Sequence, residues 1–540
     1  MGIPSYYRKL KDSVPGLVTK SINSTTPVYG LYFDFNCLVY HVLHKKTTPP
    51  YPEDAEDDDA IRIRWENSLI DEVMKYIHKI VGLVKPSHEV LISVDGVVPF
   101  AKMKQQRLRR FKAARGQVQS RTWDKNSITP GTYFMERLGK KLNTLSTKGG
   151  VGGGVGGGVG GQHLKWTVQD ASVPGEGEQK IMEFLRKSNN ITGKNIVIYG
   201  LDADLIVLSL ILRQQIQLNL WLFRENVEFG EMIYDALGEE TYVYMDIGLL
   251  EKHIIGRLGG STGGAILNYA MAMSFLGNDF LPHGLSQKMS DEGHEVIMQI
   301  LRSAFQEGKF LLNPDTTWNI EGIRYVLQCL ALTEGRDIYH NLGKKLSHNP
   351  KLDAETSPDF YPAEKVEYDF FEEVADVNAR PRLRRNWPRI YYENYVESGG
   401  AHLLAARAAA KHYFEGLHWI RAYYLGSDIP RSNDWFYPFF LPPLWSDLLK
   451  ALDRGFAAAA DRAHDITMGV PRPQEQLALV LPMESWWLIR DNTLRQLPYK
   501  APQYWPIQYT LFSCGKKWMW ECEAQIPLFT LRTLRRFIPL

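Results

Sequence analysis

The sequence predicts an α/β protein whose central, mostly parallel sheet is followed by a mainly helical region. Short β-rich runs that are almost entirely apolar are typical of buried parallel strands, and they occur at 28–33, 89–94, 195–200 and 218–223. Between the first two runs, apolar residues recur with helical spacing over 65–84. Beyond about residue 235 the pattern is mostly helical, and 403–426 has the periodicity of a strong amphipathic helix.

Composition indicates an ordinary globular protein rather than a disulfide-rich or membrane protein. The 540 residues can bury a large core, and 44% of them are hydrophobic and 23% charged. Cys37, Cys329, Cys514 and Cys522 are scattered without a CxxC pair, which indicates reduced thiols instead of a disulfide frame or zinc site. No apolar run approaches the ~18 residues of a membrane span, and the N-terminus lacks a signal-peptide core. We therefore expect a nuclear or cytoplasmic protein without a membrane partner.

Two low-complexity stretches interrupt the α/β pattern. Residues 53–59 are almost all acidic and predict a solvated loop. Residues 149–161 read GGVGGGVGGGVGG, which cannot pack a core and predicts a flexible insertion in a surface loop, at 148–161. Neither stretch is assigned a catalytic role.

Carboxylates follow the predicted strands, at the sheet edge where ligands of α/β proteins bind. Asp34, Asp95, Asp202 and Asp204 come at or just after strand ends, and three more acids stand in a Pro/Gly turn and in a loop after a helix: Glu176, Glu178 and Asp279. One such Asp often only caps the following helix. Seven acids at one edge would repel one another and raise each other's pKa. Two Mg²⁺ or Mn²⁺ ions relieve that repulsion and can hydrolyse a phosphodiester.

A dense basic stripe follows Asp95, with seven cationic side chains and no acid up to Gly116. On a helix over 101–114, four side chains fall within an arc of roughly 100°: Lys102, Gln106, Arg109 and Arg110. Three cations and an amide on one face suit a phosphate group. Taken alone, the stripe is equally consistent with a solvated helix face.

In these blocks the sequence resembles the XRN-type 5′→3′ exoribonucleases. The blocks MGIPSYYRKL, DGVVPFAKMKQQRLRRF, NSITPGTYFMERL, SVPGEGEQKIMEFLR, IYGLDADLIVLSL and GNDFLPH occur in the family's order, and the resemblance continues through YFEGLHWIRAYYLG to KKWMWECEAQIPLF. It implies a PIN/FEN-like nuclease core over 1–285 and a mainly helical second conserved region over 286–540 that closes the active site. It also implies Mg²⁺-dependent release of mononucleotides from 5′-monophosphorylated RNA, with Mn²⁺ as a possible substitute.

The family's functional residues map onto the positions already selected. All seven acids match its metal-binding set, and Lys102, Gln106, Arg109 and Arg110 match its 5′-phosphate pocket. The family's base-stacking His is replaced by Tyr40, with His41 one place later, and a Tyr can stack equally well. Trp387 is the candidate for the second stacking residue, whereas Trp435 is interpreted as structural. The sequence stops where the family's core ends, so we expect a minimal or nuclear-type member.

The predicted function is therefore processive exoribonuclease activity on single-stranded RNA in RNA processing or decay. Its natural substrates could be rRNA precursors, decapped mRNA or transcripts awaiting termination, and protein partners in a processing or decay complex are compatible with it. Two other functions use the same features. A flap-type DNA endonuclease shares the acidic core, and a catalytically silent RNA-binding scaffold would need only the basic surface. All seven acids are present, which favours an enzyme over the scaffold.

Overall fold

The central sheet and its flanking helices are given by a computed structural model that describes residues 6–22, 26–52, 54, 58–115, 122–148, 164–200, 202–228, 231–260, 264–353, 356–372, 382–397, 401–426, 429–464 and 469–538. The strands are β1 (Val18–Thr19), β2 (Val28–Asp34), β3 (Glu89–Ser93), β4 (Lys165–Gln169), β5 (Asn195–Tyr199), β6 (Asn219–Glu225), β7 (Val227–Glu228), β8 (Glu231–Met232), β9 (Tyr242–Asp246), β10 (Leu511–Phe512) and β11 (Glu523–Ala524). The predicted glycine-rich insertion and most of the acidic loop lie outside the described residues.

Helices connect the strands and are the main regular structure described after β9. They are α1 (Tyr6–Ser13), α2 (Asn36–Leu43), α3 (Asp59–Val84), α4 (Phe100–Arg115), α5 (Tyr133–Lys148), α6 (Gly177–Lys187), α7 (Ala203–Gln215), α8 (Ile247–Arg257), α9 (Ala265–Ala272), α10 (Gly293–Gln306), α11 (Ile320–Leu346), α12 (Trp387–Ile390), α13 (His402–Leu425), α14 (Trp445–His464), α15 (Pro473–Val480), α16 (Asn492–Arg495), α17 (Leu497–Lys500) and α18 (Leu531–Phe537).

Seven strands form one mostly parallel sheet in the order β1-β9-β6-β5-β2-β3-β4. The five strands from β6 to β4 are parallel to one another, and β9 and β1 join antiparallel at one edge. The four predicted strands are confirmed as β2, β3, β5 and β6, all in the parallel part. The pattern missed the three outer strands: β1 has only two residues, and β4 and β9 are short strands of mixed polarity.

The two faces of the sheet are covered by different helices because successive side chains of a strand point to opposite sides. In β5, Ile196 and Ile198 pack with α7 on one face, whereas Val197 and Tyr199 pack with α3 on the other. Both faces of β5 are therefore buried, which accounts for its unbroken apolar sequence.

The helical region extends the core on the α7 face of the sheet. The central residues of α13 are buried on every side, among them Trp419 and Tyr423, and they share one apolar cluster with Leu205 of α7 and Ile198 of β5. Trp435 stacks on Trp419 with ring centroids 5.2 Å apart, so it is a core residue. The α13 helix thereby ends close to the carboxyl edge of the sheet.

Two of the compositional expectations can be compared with the structure. All four cysteines are free thiols. Within the described ranges, every helix is too short or too polar to cross a membrane.

Candidate active site

The structure brings the predicted acids together at the carboxyl edge of the parallel strands. Asp34 is the last residue of β2, and Asp95 stands two residues after β3. Asp202 immediately precedes α7 and Asp204 lies in its first turn. Glu176 precedes α6, Glu178 lies in its first turn, and Asp279 follows α9 on a loop. Strand ends and helix starts therefore deliver all of these carboxylates to one edge.

Gly177 allows α6 to approach the acids at backbone distance. A Cβ atom at this position would stand 2.6 Å from Asp34 Oδ1 and 2.8 Å from the Ser93 carbonyl oxygen, so any side chain would displace them. The Gly177 N–H donates to Asp95 Oδ1 at 2.7 Å, and Asn36 Nδ2 donates to Asp95 Oδ2 at 2.9 Å. Both oxygens of Asp95 are thus fixed by neighbouring elements.

Lys102 stands among the carboxylates. Its Nζ lies 2.5 Å from Glu176 Oε2 and 2.7 Å from Asp279 Oδ2, with only 14% of the side chain exposed. The Tyr423 hydroxyl, from α13, donates to the other oxygen of Glu176. Glu176 is therefore bound on one side by the basic helix α4 and on the other by the helical region.

Burial and mutual repulsion oppose the ionisation of several of these acids. Burial, followed by the charges of Asp95 and Asp202, raises the pKa of Asp34 well above its usual value. Burial and then Asp279 raise the pKa of Asp204 to about 8. Burial opposes ionisation of Asp279 too, but the attraction of nearby positive charge, that of Lys102 first, lowers the pKa of Asp279 on balance. One lysine neutralises only part of the acidic cluster, so a further cation would stabilise it.

The donor chemistry of the cluster fits hard divalent cations. Glu178 Oε2 and Asp204 Oδ1 are buried and have no hydrogen-bond donor in the described part of the chain, although buried carboxylate oxygens are usually satisfied. Carboxylate oxygens are the ligands that Mg²⁺ and Mn²⁺ prefer. As they stand, no three acidic, His or Cys side chains among the described residues converge on one ion position. The fit of this cluster to divalent cations therefore rests on the carboxylate oxygens and on the two of them that accept no hydrogen bond.

The acidic cluster and the basic face of α4 line one cavity of about 190 Å³. Six of the seven acids line it together with Lys102, Gln106, Arg109 and Arg110, whereas Asp204 is buried and does not line it. Arg110 Nη1 is buried without an acceptor in the described ranges, and burial lowers the pKa of this guanidinium to about 10, so it stays charged at neutral pH. Arg109 is exposed. Two guanidinium groups beside an acidic cluster can bind a phosphate next to a reacting phosphodiester.

The three candidate stacking residues are placed differently. Tyr40 of α2 lines the cavity and is half-buried. His41, its neighbour, points to Glu240, with 3.0 Å between Nε2 and Oε1. Trp387 of α12 packs against the cluster around Ile338, near Gly335 of α11, and does not line the cavity. The structure thus brings only Tyr40 to the acids.

Sequence analysis missed three residues that hold the acids in place: Asn36, Gly177 and Tyr423. Asn36 comes two residues after Asp34, at a predicted strand end, so the sequence could have indicated that it lies near the acids. Gly177 stands between the two glutamates, and the close approach that requires a glycine there is a tertiary feature. Tyr423 lies 247 residues from Glu176, and no local pattern connects them.

Two family models match this chain. The model of the XRN 5′-3′ exonuclease N-terminus matches residues 1–226, which contain the sheet strands up to β6, the basic helix and six of the seven acids. The model of the Xrn1 helical domain matches residues 372–536, which include α13 and Tyr423. The two regions that meet at Glu176 thus each match a component of the same family.

Curated relatives carry the same family name. The chain is 27% identical to 5′-3′ exoribonuclease 2 of Kluyveromyces lactis over 65% of its length and 42% of the relative. It is 24% identical to 5′-3′ exoribonuclease 1 of Schizosaccharomyces pombe and 23% identical to 5′-3′ exoribonuclease 2 of Arabidopsis thaliana, in both cases over 98% of its length. It spans 47% and 66% of the length of those two relatives.

Proposed function

This chain belongs to the XRN family of 5′-3′ exonucleases, and we propose that it is a 5′→3′ exoribonuclease acting on single-stranded RNA with a 5′-monophosphate. The observation that carries the proposal is the shared cavity, where the acidic cluster and the basic face of α4 meet. A phosphodiester at the acids would have its neighbouring 5′-phosphate within reach of Arg109 and Arg110. Membership of the family and the relatives' names support RNA as the substrate.

Divalent metal ions belong to the proposal. Two Mg²⁺ ions, with Mn²⁺ as a substitute, would be held by the carboxylates of Asp34, Asp95, Glu176, Glu178, Asp202, Asp204 and Asp279. When bound, they would supply an activated water and stabilise the leaving oxygen. The partnerless oxygens of Glu178 and Asp204 support this assignment.

The residues of α4 would select and orient the RNA end. Arg109 and Arg110 bind the 5′-phosphate through forked hydrogen bonds, and Gln106 orients it. Lys102, between Glu176 and Asp279, provides positive charge between the phosphate-binding face and the acids. Tyr40 offers a ring on which the first base can stack.

Hydrolysis would leave a new substrate end after each round, which processive degradation requires. Water adds to the phosphorus and the bond to the 3′ oxygen breaks, which leaves a mononucleotide with a 3′-hydroxyl. The phosphate stays on the next nucleotide, so the shortened RNA again carries a 5′-monophosphate. Each cycle therefore regenerates the group that Arg109 and Arg110 bind.

A matched degradation assay in Mg²⁺ tests the proposal. One single-stranded RNA is prepared with a 5′-monophosphate, 5′-hydroxyl or 5′-triphosphate and incubated with wild type, Asp202→Ala or Arg109→Ala. Arg115→Ala serves as the control, since Arg115 is an exposed arginine on the same helix that does not line the cavity. We expect only the monophosphate to be consumed, Asp202→Ala to be inactive, and Arg109→Ala alone to lose end preference.

Other outcomes of this assay would identify the alternatives. If purified wild type binds RNA but degrades none of the three substrates, the acids are structural and the scaffold function leads. If it cuts branched DNA and ignores the RNA 5′ end, the flap-type endonuclease leads.

The cellular role is proposed at the level of RNA class. RNA processing and RNA decay both generate 5′-monophosphorylated ends, so either could supply the substrate, in the nucleus or the cytoplasm. Protein partners of an RNA-processing or decay complex are compatible with this role. Cell fractionation followed by sequencing of crosslinked RNA would identify compartment and substrate together.

A further inference from the structure

A second cavity, of about 1500 Å³, adjoins the phosphate-binding face of α4. Arg110 lines both cavities, and the second one is also lined by Ala113 and Ala114 of the same helix. Ala113 is eleven residues beyond Lys102. At 1.5 Å per residue that is roughly 16 Å along the helix axis. The second cavity therefore begins at Arg110 and extends along α4 away from Lys102, which stands among the acids.

This position determines which part of the substrate can enter the cavity, if the proposed function holds. The 5′-phosphate lies at Arg109 and Arg110, the scissile bond lies at the acids, and the remaining RNA continues past the acids. No part of the uncleaved chain extends beyond its own 5′ end. The cleaved mononucleotide, bound through its phosphate, is the species that can move forward into the second cavity.

The lining of the second cavity offers donors to an anion. Arg110 Nη1, Arg137 Nε, Arg490 Nε and Ser127 Oγ are buried and have no hydrogen-bond partner in the described residues. Ser127 is 1% exposed and Arg110 9%. Three guanidinium nitrogens in one cavity can thus donate to the oxygens of a phosphate monoester, and two of these groups, those of Arg137 and Arg490, also pair with a glutamate through Nη2.

Three of the four acidic side chains in the lining are engaged already, whereas the fourth, Glu484, is exposed. Asp59 Oδ1 lies 2.6 Å from Arg62 Nη2, and Asp124 accepts from the Asn126 N–H at 2.9 Å. Glu66 pairs with Arg137 and accepts from Trp123 Nε1 at 2.9 Å. These contacts reduce the repulsion that an anionic ligand would meet.

Exposed aromatic rings complete the lining. Trp487 is 44% exposed and Tyr133 62%, and both line the second cavity. A guanidinium carbon lies over each ring, that of Arg62 at 4.7 Å from Trp487 and that of Arg490 at 4.4 Å from Tyr133. Aromatic rings beside cations suit a base attached to a phosphate, because the base stacks while the phosphate pairs with charge.

We propose that the second cavity is a binding site for nucleoside 5′-monophosphates, occupied by the product between cleavage and release. Arg110 contacts the phosphate in both positions, and Trp487 and Tyr133 hold the base in the second. The volume exceeds that of one nucleotide, and the exposure of Trp487 and Tyr133 shows that the lining reaches solvent, so the product can leave without passing back over the acids.

Binding of uridine 5′-monophosphate to the full chain tests the site without RNA or catalysis. Titration calorimetry compares wild type with Trp487→Ala and Tyr133→Ala. Trp520→Ala is the control, since Trp520 is 39% exposed and lies outside the lining. We expect Kd to rise at least fivefold in both test variants and to stay unchanged in the control. Circular dichroism verifies that each variant is folded.

Photocrosslinking locates the bound nucleotide directly. Irradiation with 5-iodouridine 5′-monophosphate followed by peptide mass spectrometry should label Trp487 or Tyr133. Labelling of Tyr40 alone, with an unchanged Kd in Trp487→Ala and Tyr133→Ala, would overturn the second site. That result would leave the proposed exonuclease function intact, because the degradation assay measures it separately.

Discussion

Glu176 is the residue at which the two matched regions of the chain meet. Lys102 of α4 pairs with one of its oxygens, and the Tyr423 hydroxyl donates to the other. Burial opposes the ionisation of Glu176, and these two donors favour its charged form. Hydrogen bonds from outside a metal-binding carboxylate set commonly orient its members and tune their basicity. We therefore interpret Tyr423 as a positioning residue for the acidic cluster.

Replacing Tyr423 tests that role, and its neighbour provides a matched control. Tyr423 and Tyr424 are both 2% exposed, but the Tyr424 hydroxyl has no hydrogen-bond partner among the described residues. We expect Tyr423→Phe to lower kcat and Mn²⁺ affinity by roughly 10- to 100-fold with KM unchanged. Tyr424→Phe should change neither. Equal effects of the two substitutions on kcat and Mn²⁺ affinity would contradict a specific role for Tyr423.

For single residues, the sequence predicts which side chains form the candidate active site. It does not predict the contacts that hold those side chains in position. Strand ends and helix starts deliver Asp34, Asp95 and Asp202 to one edge, so parallel-sheet geometry is enough to group them. Lys102 was predicted to face a phosphate, and its contacts with Glu176 and Asp279 depend on tertiary packing. Tyr40 and His41 are adjacent, and the rotation of α2 decides which of them faces the cavity. The sequence does not determine that rotation.

Among the elements, α4 was predicted most completely. The pattern predicted a helix over 101–114, and the structure has it over Phe100–Arg115. The helix presents Gln106, Arg109 and Arg110 to the acid-side cavity, as the 3.6-residue period implies. Not every cation of the stripe faces the cavity. Arg107 is buried and donates to the backbone carbonyls of Leu479 and Tyr504. A run of cations thus contains both binding and packing residues.

Three helices are joined by a chain of buried hydrogen bonds. The hydroxyls of Tyr6 in α1 and Tyr269 in α9 are 2.7 Å apart, and the Tyr269 hydroxyl lies 2.9 Å from His294 Nε2 in α10. Burial lowers the pKa of His294 to about 4, and Glu295, whose Oε1 lies 3.5 Å from Nδ1, opposes this only weakly. His294 is therefore neutral in the folded protein across the range in which an exposed His would protonate.

The burial of His294 should make stability depend on pH between about 6.5 and 4. In that window the unfolded state binds a proton at His294 and the folded state does not, so stability is lost as pH falls. The loss from this group should reach about 3 kcal/mol, and His294→Gln should remove it. Urea unfolding at several pH values measures the difference. The exposed His340 provides the control substitution His340→Gln, and an equal pH slope in wild type and His294→Gln would contradict the assignment.

Over the whole molecule, the α/β region and the helical region share one apolar core. Trp419 and Leu417 of α13 belong to the same buried cluster as Ile198 of β5 and Leu205 of α7. The division at residue 285 remains a prediction about sequence regions. We propose that residues on both sides of it unfold together, because neither side buries its apolar face alone.

A substitution inside α13 tests this cooperativity. Leu417→Ala removes a buried side chain and should cost about 2–5 kcal/mol. Hydrogen exchange measured by mass spectrometry should then show reduced protection in both α13 and β5. Leu403→Ala, at an exposed position of the same helix, should leave both protected. Loss of protection in α13 alone would show that the two regions unfold separately.

The overall architecture was predictable to the extent that it follows from periodicity. Four buried parallel strands and the long amphipathic helices have strong patterns, so the sheet and the helical region were both anticipated. The edge strand β1 and its neighbour β9 pair antiparallel through contacts distant in sequence, which periodicity does not encode. The packing of α13 against the carboxyl edge of the sheet also depends on contacts between residues that are distant in sequence.

The most direct test of the central claim is the identity of the first product. Single-stranded RNA labelled on its 5′-phosphate is incubated with excess protein in Mg²⁺, and the products are resolved at early times. If the acids and the basic face of α4 act on one RNA end, the label should appear at once as a nucleoside 5′-monophosphate, and EDTA should abolish its release. Label in longer fragments would indicate endonuclease cleavage, and label that stays on intact RNA would indicate a scaffold. Either result would contradict the account.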